Sequence, residues 1–216
     1  MKNFLGIIIS FMYIAVLMLA AKYFEKNDKE GSRKFIHILL ANWWLIVMAF
    51  FNNIIIALIP PIAFVIINFI SYKANVIKVM ERDEKDKDGL GTVYYAISLI
   101  PLVILSFGLT DNKLIGLVGL FVMAYGDGFA ALAGKSITSK KYKIFGTQKT
   151  IAGSLIMFVI SFIIMISVFA YSNTEWYILK SIVVAIVSTV LEAVSVKGTD
   201  NLTVPIITSI MTYFMI

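Results

Sequence analysis

The sequence has no cysteine and a single histidine, His37, which excludes several kinds of chemistry. Without thiols the chain can form neither a disulfide nor a thiolate metal site, and one histidine cannot build a multi-histidine ligand set. Redox chemistry is therefore not expected. Acidic residues are also few, 13 against 19 lysines and arginines. Because the basic residues lie in short loops between apolar runs, they indicate membrane topology and not a nucleic-acid partner.

Long apolar runs dominate the chain, which is 60% hydrophobic with a mean hydropathy of +0.90. Runs of about twenty residues are long enough to cross a bilayer. The first run, Phe4 to Ala21, leads into charged residues without a cleavage-site pattern, so we interpret it as a retained helix. The sequence predicts an all-α integral membrane protein, one domain over 1–216 with about 7–8 transmembrane helices. The candidate spans are about 3–22, 35–51, 54–72, 92–108, 113–134, 152–171, 176–196 and 202–216.

The basic residues alternate from one side of these spans to the other. Sixteen of the lysines and arginines fall in segments 22–34, 73–87 and 135–149 and at Lys197, and three fall in the remaining loops. The positive-inside rule makes the first group cytoplasmic and places both termini outside. We expect a multi-pass protein, in the plasma membrane if the cell is prokaryotic, with its active site facing the cytoplasm.

Two acidic residues, Asp127 and Glu192, lie inside apolar spans. An ionisable group in the membrane is costly and is by default a candidate functional residue. Asp127 stands between Gly126 and Gly128, where the absence of a Cβ permits close backbone approach or local unwinding beside a cavity. Helix packing explains small residues of this kind but not an acid between them. Asp127 is therefore predicted to belong to a functional site near the cytoplasmic end of its helix.

A lysine-rich segment follows Asp127 and contains no acidic residue. We expect it to be flexible and to suit a polyphosphate whose magnesium ion is held by the carboxylate. Lys149 and Thr150 precede a helix start that includes Gly153, where free backbone N–H groups favour an anion. Lys140, Lys141 and Lys143 have the alternative role of fixing topology and contacting anionic lipid. The segment's lysines are Lys135, Lys140, Lys141, Lys143 and Lys149.

Three further motifs lie at the same predicted face. In SRKFIHI, Arg33 and His37 are four residues apart and share one helical face, although a histidine there can also be a hydrogen-bonded helix residue. GLGTVYY, from 89 to 95, offers glycines and a hydroxyl at a helix start. In LEAVSVKGTDNLTVP, Glu192 lies about two turns before Asp200 and Asn201, for which helix capping is the alternative. Groups from four loops thus converge on one site.

These motifs together resemble the membrane-embedded polyprenol kinase family, which includes phytol, farnesol and dolichol kinases and a diacylglycerol kinase branch. The resemblance runs from Arg33 onward, with its densest part at about 124–205. It implies CTP-dependent, magnesium-requiring phosphorylation of a lipid alcohol such as phytol, farnesol, geranylgeraniol or a polyprenol. The site residues it implies are Asp127, Gly128, Lys149, Gly153, Glu192, Asp200 and Asn201, with Arg33 and His37 beside them.

On this interpretation Asp127 and Asp200 hold the metal, and Lys149, Lys135 and Arg33 bind phosphate oxygens. Either Glu192 or His37 takes the hydroxyl proton. The remaining nucleotide-binding candidates are Gly128, Thr150, Gly153 and Asn201. Expected partners are CTP, a lipid alcohol and membrane lipids, and homo-oligomers are compatible with the small-residue helix faces.

Other functions remain open at this point. A phosphatidate cytidylyltransferase that makes a CDP-lipid, or a CTP-dependent diacylglycerol kinase, uses similar substrates. A small proton- or cation-coupled transporter, with Asp127 and Glu192 as a relay, is the alternative of another class. Such a transporter predicts acids along a path open to both sides.

Overall fold

A computed structural model of the chain describes residues 1–25, 29–74 and 90–216. Part of the charged segment 73–87, and Gly89 of the GLGTVYY motif, lie outside these residues. Within them the chain forms ten α-helices and one β-hairpin. The helices are α1 Lys2–Glu25, α2 Lys29–Leu40, α3 Trp43–Phe50, α4 Ile54–Ala74, α5 Gly91–Val103, α6 Leu114–Phe121, α7 Gly128–Ser136, α8 Ile151–Tyr171, α9 Tyr177–Val194 and α10 Asp200–Met215. The hairpin consists of β1 Lys141–Ile144 and β2 Thr147–Thr150.

Seven stretches of the described chain are long and apolar enough to cross a membrane. They are Lys2–Tyr23, Gly31–Phe50, Ile54–Ala74, Gly91–Leu109, Leu114–Ser136, Ile151–Tyr171 and Tyr177–Val194. The prediction of an all-α multi-pass membrane protein is confirmed. The eighth predicted span corresponds to α10, which has 16 residues. The predicted span 35–51 is two helices, because the chain turns at 41–42 between α2 and α3.

The Leu114–Ser136 stretch is the most buried of the seven and lies at the centre of the bundle. Its glycines permit this position. A Cβ on Gly116 would lie 2.0 Å from Trp44, and one on Gly119 would lie 2.4 Å from the Pro205 carbonyl oxygen. Neighbouring helices therefore pack directly against the backbone of this stretch, as small-residue faces allow.

A π-helical turn, Val122–Asp127, interrupts this central stretch between α6 and α7 and ends at Asp127. Single π-helical turns inside α-helices are frequent at functional sites. Gly126 and Gly128 flank Asp127 because helices approach from both sides. A Cβ on Gly126 would lie 2.4 Å from the Met157 sulfur, and one on Gly128 would lie 2.3 Å from Ile38 Cγ1.

The lysine-rich segment is structured, contrary to the expectation of a flexible loop. Antiparallel pairing joins Tyr142 to Lys149 and Lys143 to Gln148. At the tip, Phe145 and Gly146 have φ values of 45° and 83°, as a two-residue type I′ turn requires. Because side chains alternate across a strand, Lys149 points to the opposite face from Gln148 and Lys143.

Candidate active site

A cavity of about 370 Å³ opens at the end of the bundle where the hairpin lies. This volume is within the range of small-molecule sites. Its walls come from α2, α4, α5, the π-helical turn that ends at Asp127, α7, β2, α8, α9, the α9–α10 connection and α10. Ten of the eleven predicted site residues line it, namely Arg33, His37, Asp127, Lys135, Lys149, Thr150, Gly153, Glu192, Asp200 and Asn201. The structure thus brings the predicted residues together, while their individual roles stay predictions.

Three carboxylates form a cluster in this cavity. Each of Asp127, Glu192 and Asp200 offers an oxygen, and these three atoms all lie within 4.8 Å of one another. Asp127 is 9% exposed and Glu192 is 4% exposed. Burial, and then the charge of Asp127, raise the pKa of Asp200 above its ordinary value. A cation placed among the three oxygens would offset this repulsion.

The cluster fits a magnesium ion by its chemistry. Mg²⁺ prefers oxygen ligands at about 2.0–2.1 Å in an octahedron, so adjacent ligand oxygens are about 2.9 Å apart and opposite ones about 4.2 Å apart. The oxygens of the cluster, which lie within 4.8 Å of one another, would need to close by up to about 2 Å. Glu192 therefore joins the two predicted metal ligands, Asp127 and Asp200, as a third candidate.

Asp127 also has two basic neighbours on α2. Lys34 donates a hydrogen bond to Asp127 Oδ2 at 2.8 Å, and Lys34 is itself buried. His37 Nε2 lies 3.3 Å from the same oxygen but does not make a hydrogen bond to it. A buried carboxylate needs such compensation, because an unpaired buried charge is strongly destabilising.

Lys149 forms an ion pair and hydrogen bond with Glu192. The hairpin register explains its position, since Lys149 faces inward while Lys141 and Lys143 are exposed. Burial by itself lowers the pKa of Lys149, but the Glu192 carboxylate and the hydrogen bond to it raise the pKa above its ordinary value. Lys149 is therefore positively charged at neutral pH.

Positive charge exceeds negative charge around the cavity. Five cationic side chains and three carboxylates line it, which leaves a net charge of +2 before any metal is bound. An excess of this sign favours an anionic ligand, and lysine and arginine are the usual partners of phosphate oxygens. The cations are Arg33, Lys34, Lys135, Lys149 and Lys197.

Two predicted phosphate-binding features have structural roles. Gly128 is outside the cavity lining and packs against Ile38, and its contact with nucleotide stays a prediction. Thr150 is the N-cap of α8, and its hydroxyl accepts a hydrogen bond from the Gly153 N–H at 3.1 Å. That N–H is consequently not one of the free donors expected at this helix start.

The Asn201 side chain connects two elements of the cavity wall. Its Nδ2 donates to the Gly91 carbonyl oxygen at 2.9 Å, and its buried Oδ1 has no partner among the described residues. Gly198, at φ 83°, lies against Gly91, so that an added Cβ would be 2.8 Å from the Gly91 Cα. Thr199 is the N-cap residue of α10 but makes no side-chain capping hydrogen bond, whereas the Asp200 carboxylate accepts a hydrogen bond from the Asn201 N–H at 3.0 Å.

Sequence reasoning missed Lys34, which was counted only toward topology. The available signal was spacing, because Lys34 precedes His37 by three residues on a helix and so shares its face. Asn68 was also missed, and Tyr95 was included only as the last residue of GLGTVYY, although both line the cavity. Tyr95 meets the His37 ring edge to face with centroids 5.3 Å apart.

The fold and cavity define a polytopic membrane protein with a site suited to a metal and a phosphorylated ligand at one end of its bundle. Comparison with known proteins makes the class specific. The phytol kinase of Synechocystis sp. is 30% identical over 204 residues, which cover 90% of this chain and 84% of the relative. A probable chloroplastic phytol kinase of Triticum aestivum is 29% identical, covering 85% and 67%, and phytol kinase 1 of Arabidopsis thaliana is 27% identical, covering 84% and 65%.

The chain belongs to the phytol kinase family and is a phosphotransferase with an alcohol acceptor. No protein-family model matches it. No solved structure matches it either.

Proposed function

We propose that this protein transfers the γ-phosphoryl group of CTP to the hydroxyl of a membrane isoprenoid alcohol. The observation that carries the proposal is the meeting of three carboxylates and five cations in one cavity of a phytol kinase family member. In phosphoryl transfer the protein mainly positions the reactants and neutralises charge. The side chains of this cavity meet both requirements, positioning and charge neutralisation, and are explained better by phosphoryl transfer than by a transport path.

Asp127, Glu192 and Asp200 would hold Mg²⁺, which when bound neutralises charge on the phosphoryl oxygens. Lys34 and Lys149 each contact one of these carboxylates. On nucleotide binding these two cations exchange a carboxylate oxygen for a phosphate oxygen. Arg33 and Lys135 line the same cavity and supply further charge toward the triphosphate.

His37 is the better candidate for the group that accepts the hydroxyl proton. Glu192 is one of the proposed metal ligands, whereas the buried Nε2 of His37 has no hydrogen-bond partner among the described residues. A general base must lie within hydrogen-bond reach of the proton it takes. His37 meets this requirement for an alcohol that enters beside Tyr95, next to Asp127.

We further propose that the cavity faces the cytoplasm, in the plasma membrane if the cell is prokaryotic. The distribution of lysine and arginine supports this orientation, since sixteen of 19 fall on the side of the lysine-rich segments. CTP and Mg²⁺ are both available on that side.

The experiment uses purified protein in detergent with Mg²⁺ and γ-labelled CTP or ATP. Farnesol, geranylgeraniol, phytol, undecaprenol and diacylglycerol are offered in parallel. We expect label in at least one isoprenoid alcohol, with CTP preferred over ATP. Label in diacylglycerol alone would mean that the acceptor is diacylglycerol and not an isoprenoid alcohol. Release of pyrophosphate when phosphatidate is supplied, with no labelled alcohol, would mean that the protein catalyses cytidylyl transfer instead.

A further inference from the structure

A second cavity, of about 110 Å³, lies beside the first. Its walls are almost entirely apolar and come from α1, α3, α4 and α5, together with Leu40 of α2. Four aromatic side chains line it, Phe11, Trp43, Phe64 and Tyr95. Phe64 meets Phe11 and Trp43 edge to face, with ring centroids 5.6 and 6.2 Å apart. Such a rigid apolar wall takes a hydrocarbon and not a phosphate.

The two cavities are contiguous. Leu40, Asn68 and Tyr95 line both of them. Asn68 and Tyr95 are also the polar residues of the apolar cavity's lining, so polarity is confined to the junction. A ligand that spans the junction would have a polar group on the His37 and Asp127 side and a hydrocarbon on the other.

The apolar cavity also reaches the outer surface of the bundle. Ile67 of α4 lines it and is 46% exposed. Because α4 is one of the candidate membrane spans, this opening faces the lipid. A membrane alcohol can therefore enter sideways, without leaving the bilayer.

We propose that this cavity binds the isoprene unit next to the hydroxyl of the acceptor alcohol and selects for its branched shape. The inference rests on the proposed function, which it deepens by giving the acceptor a binding site. An apolar cavity of about 150 Å³ takes a benzene ring, so one of about 110 Å³ takes roughly one five-carbon unit. The rest of the chain extends past Ile67 into the lipid.

The polar end of the ligand is fixed at the junction. Asn68 Nδ2 donates to the Thr92 carbonyl oxygen at 3.2 Å, which orients its amide. Tyr95 contacts the His37 ring. An alcohol seated with its first isoprene unit in the apolar cavity places its hydroxyl between these side chains, beside the proposed proton acceptor.

Photo-crosslinking tests occupancy without requiring turnover. The probe is a geranylgeraniol analogue with a diazirine on the isoprene unit next to the hydroxyl, added to the purified protein. We expect mass spectrometry to find insertion into cavity residues such as Phe11, Ala96 and Leu99, and excess unlabelled geranylgeraniol to suppress it. Insertion spread over exposed faces, including Leu155 and Ile163 of α8, without competition would overturn the inference.

Two substitutions test selectivity. Ala96→Leu fills the cavity and should raise the KM for geranylgeraniol by about tenfold, with the KM for CTP unchanged. Ala15→Leu, on the exposed side of the helix that carries Ile14, is the matched control and should match wild type. Leu99→Ala enlarges the cavity instead, and should improve use of an analogue with an ethyl branch on the first unit by about tenfold.

The outcomes separate this inference from the proposed function. Competed crosslinks in the cavity without phosphorylation would retain the binding site and reject the kinase activity. Phosphorylation that is unchanged in both Ala96→Leu and Leu99→Ala, with crosslinks elsewhere, would retain the kinase and reject this site. Because one variant adds volume and the other removes it, failure of either to fold leaves the other as a test.

Discussion

Replacing Gly128 by alanine tests whether this glycine serves helix packing or nucleotide binding. The added methyl would lie 2.3 Å from Ile38 Cγ1 and 2.7 Å from Cδ1, distances that real contacts do not reach. Overpacking of this kind costs about 1–3 kcal/mol. The Gly128→Ala protein should therefore lose several degrees in its thermal inactivation midpoint in detergent.

The double variant shows which role is correct. Ile38→Ala removes both clashing carbons and by itself leaves a cavity that costs about 2–5 kcal/mol. Combined with Gly128→Ala, the loss should be smaller than the sum of the two, by about 1–3 kcal/mol. If Gly128→Ala alone raises the KM for CTP, the double variant should restore this KM to the value measured for Ile38→Ala alone. Additive losses, or a raised KM for CTP that Ile38→Ala does not relieve, would refute the packing account.

Two further predictions follow from the hairpin and from the loop at Gly198. Lys149→Met should reduce kcat/KM more than about tenfold. Lys143→Met, on the outer face of the hairpin, is the control and should stay within about twofold of wild type. Equal losses in the two variants would contradict the inference that the hairpin register turns Lys149 alone toward the cavity. Gly198→Ala should lower the thermal midpoint more than Gly146→Ala. Both glycines have φ 83°, but a Cβ added at Gly198 would lie 2.8 Å from the Gly91 backbone, whereas one added at Gly146 would meet nothing within 4 Å. Equal shifts of the thermal midpoint would mean that the contact between Gly198 and Gly91 is unimportant.

Much of the fold could be predicted because membrane spans depend on local properties. An apolar run of about twenty residues has few alternatives to a helix in lipid, since every backbone polar group must be satisfied within the segment. The break between α2 and α3 could not be predicted in this way. Both sides of it are apolar, and the turn at 41–42 depends on tertiary packing around Trp43 and Trp44.

The candidate site was predictable where a residue type conflicted with its surroundings. Asp127 and Glu192 are acids in apolar helices, and this conflict requires an explanation in any fold. Lys34 carried no such conflict, because it lies among other basic residues near a span end. Its partnership with Asp127 joins residues 93 apart in the chain, and no local pattern specifies that contact.

The hairpin shows a third kind of limit. Its inner lysine differs from its outer ones by strand register alone, and register depends on a turn at Phe145–Gly146 that is not one of the usual Asn-Gly or Asp-Gly pairs. The apolar cavity was missed for a related reason. Its walls come from five helices, and each contributes residues of the kind that also face lipid.

The central claim is that the cavity around Asp127 is where phosphoryl transfer takes place. Asp127→Asn removes one charge from the carboxylate cluster while nearly preserving side-chain shape. Asp111→Asn makes the same chemical change at an exposed residue between α5 and α6. The measurement is single-turnover transfer from γ-labelled CTP to geranylgeraniol with saturating Mg²⁺.

The account predicts that Asp127→Asn reduces the rate more than about tenfold, equivalent to ~1.4 kcal/mol in the barrier, in protein that remains folded by thermal inactivation. Asp111→Asn should match wild type. A rate in Asp127→Asn above about a tenth of wild type would contradict the claim that this cavity holds the reaction.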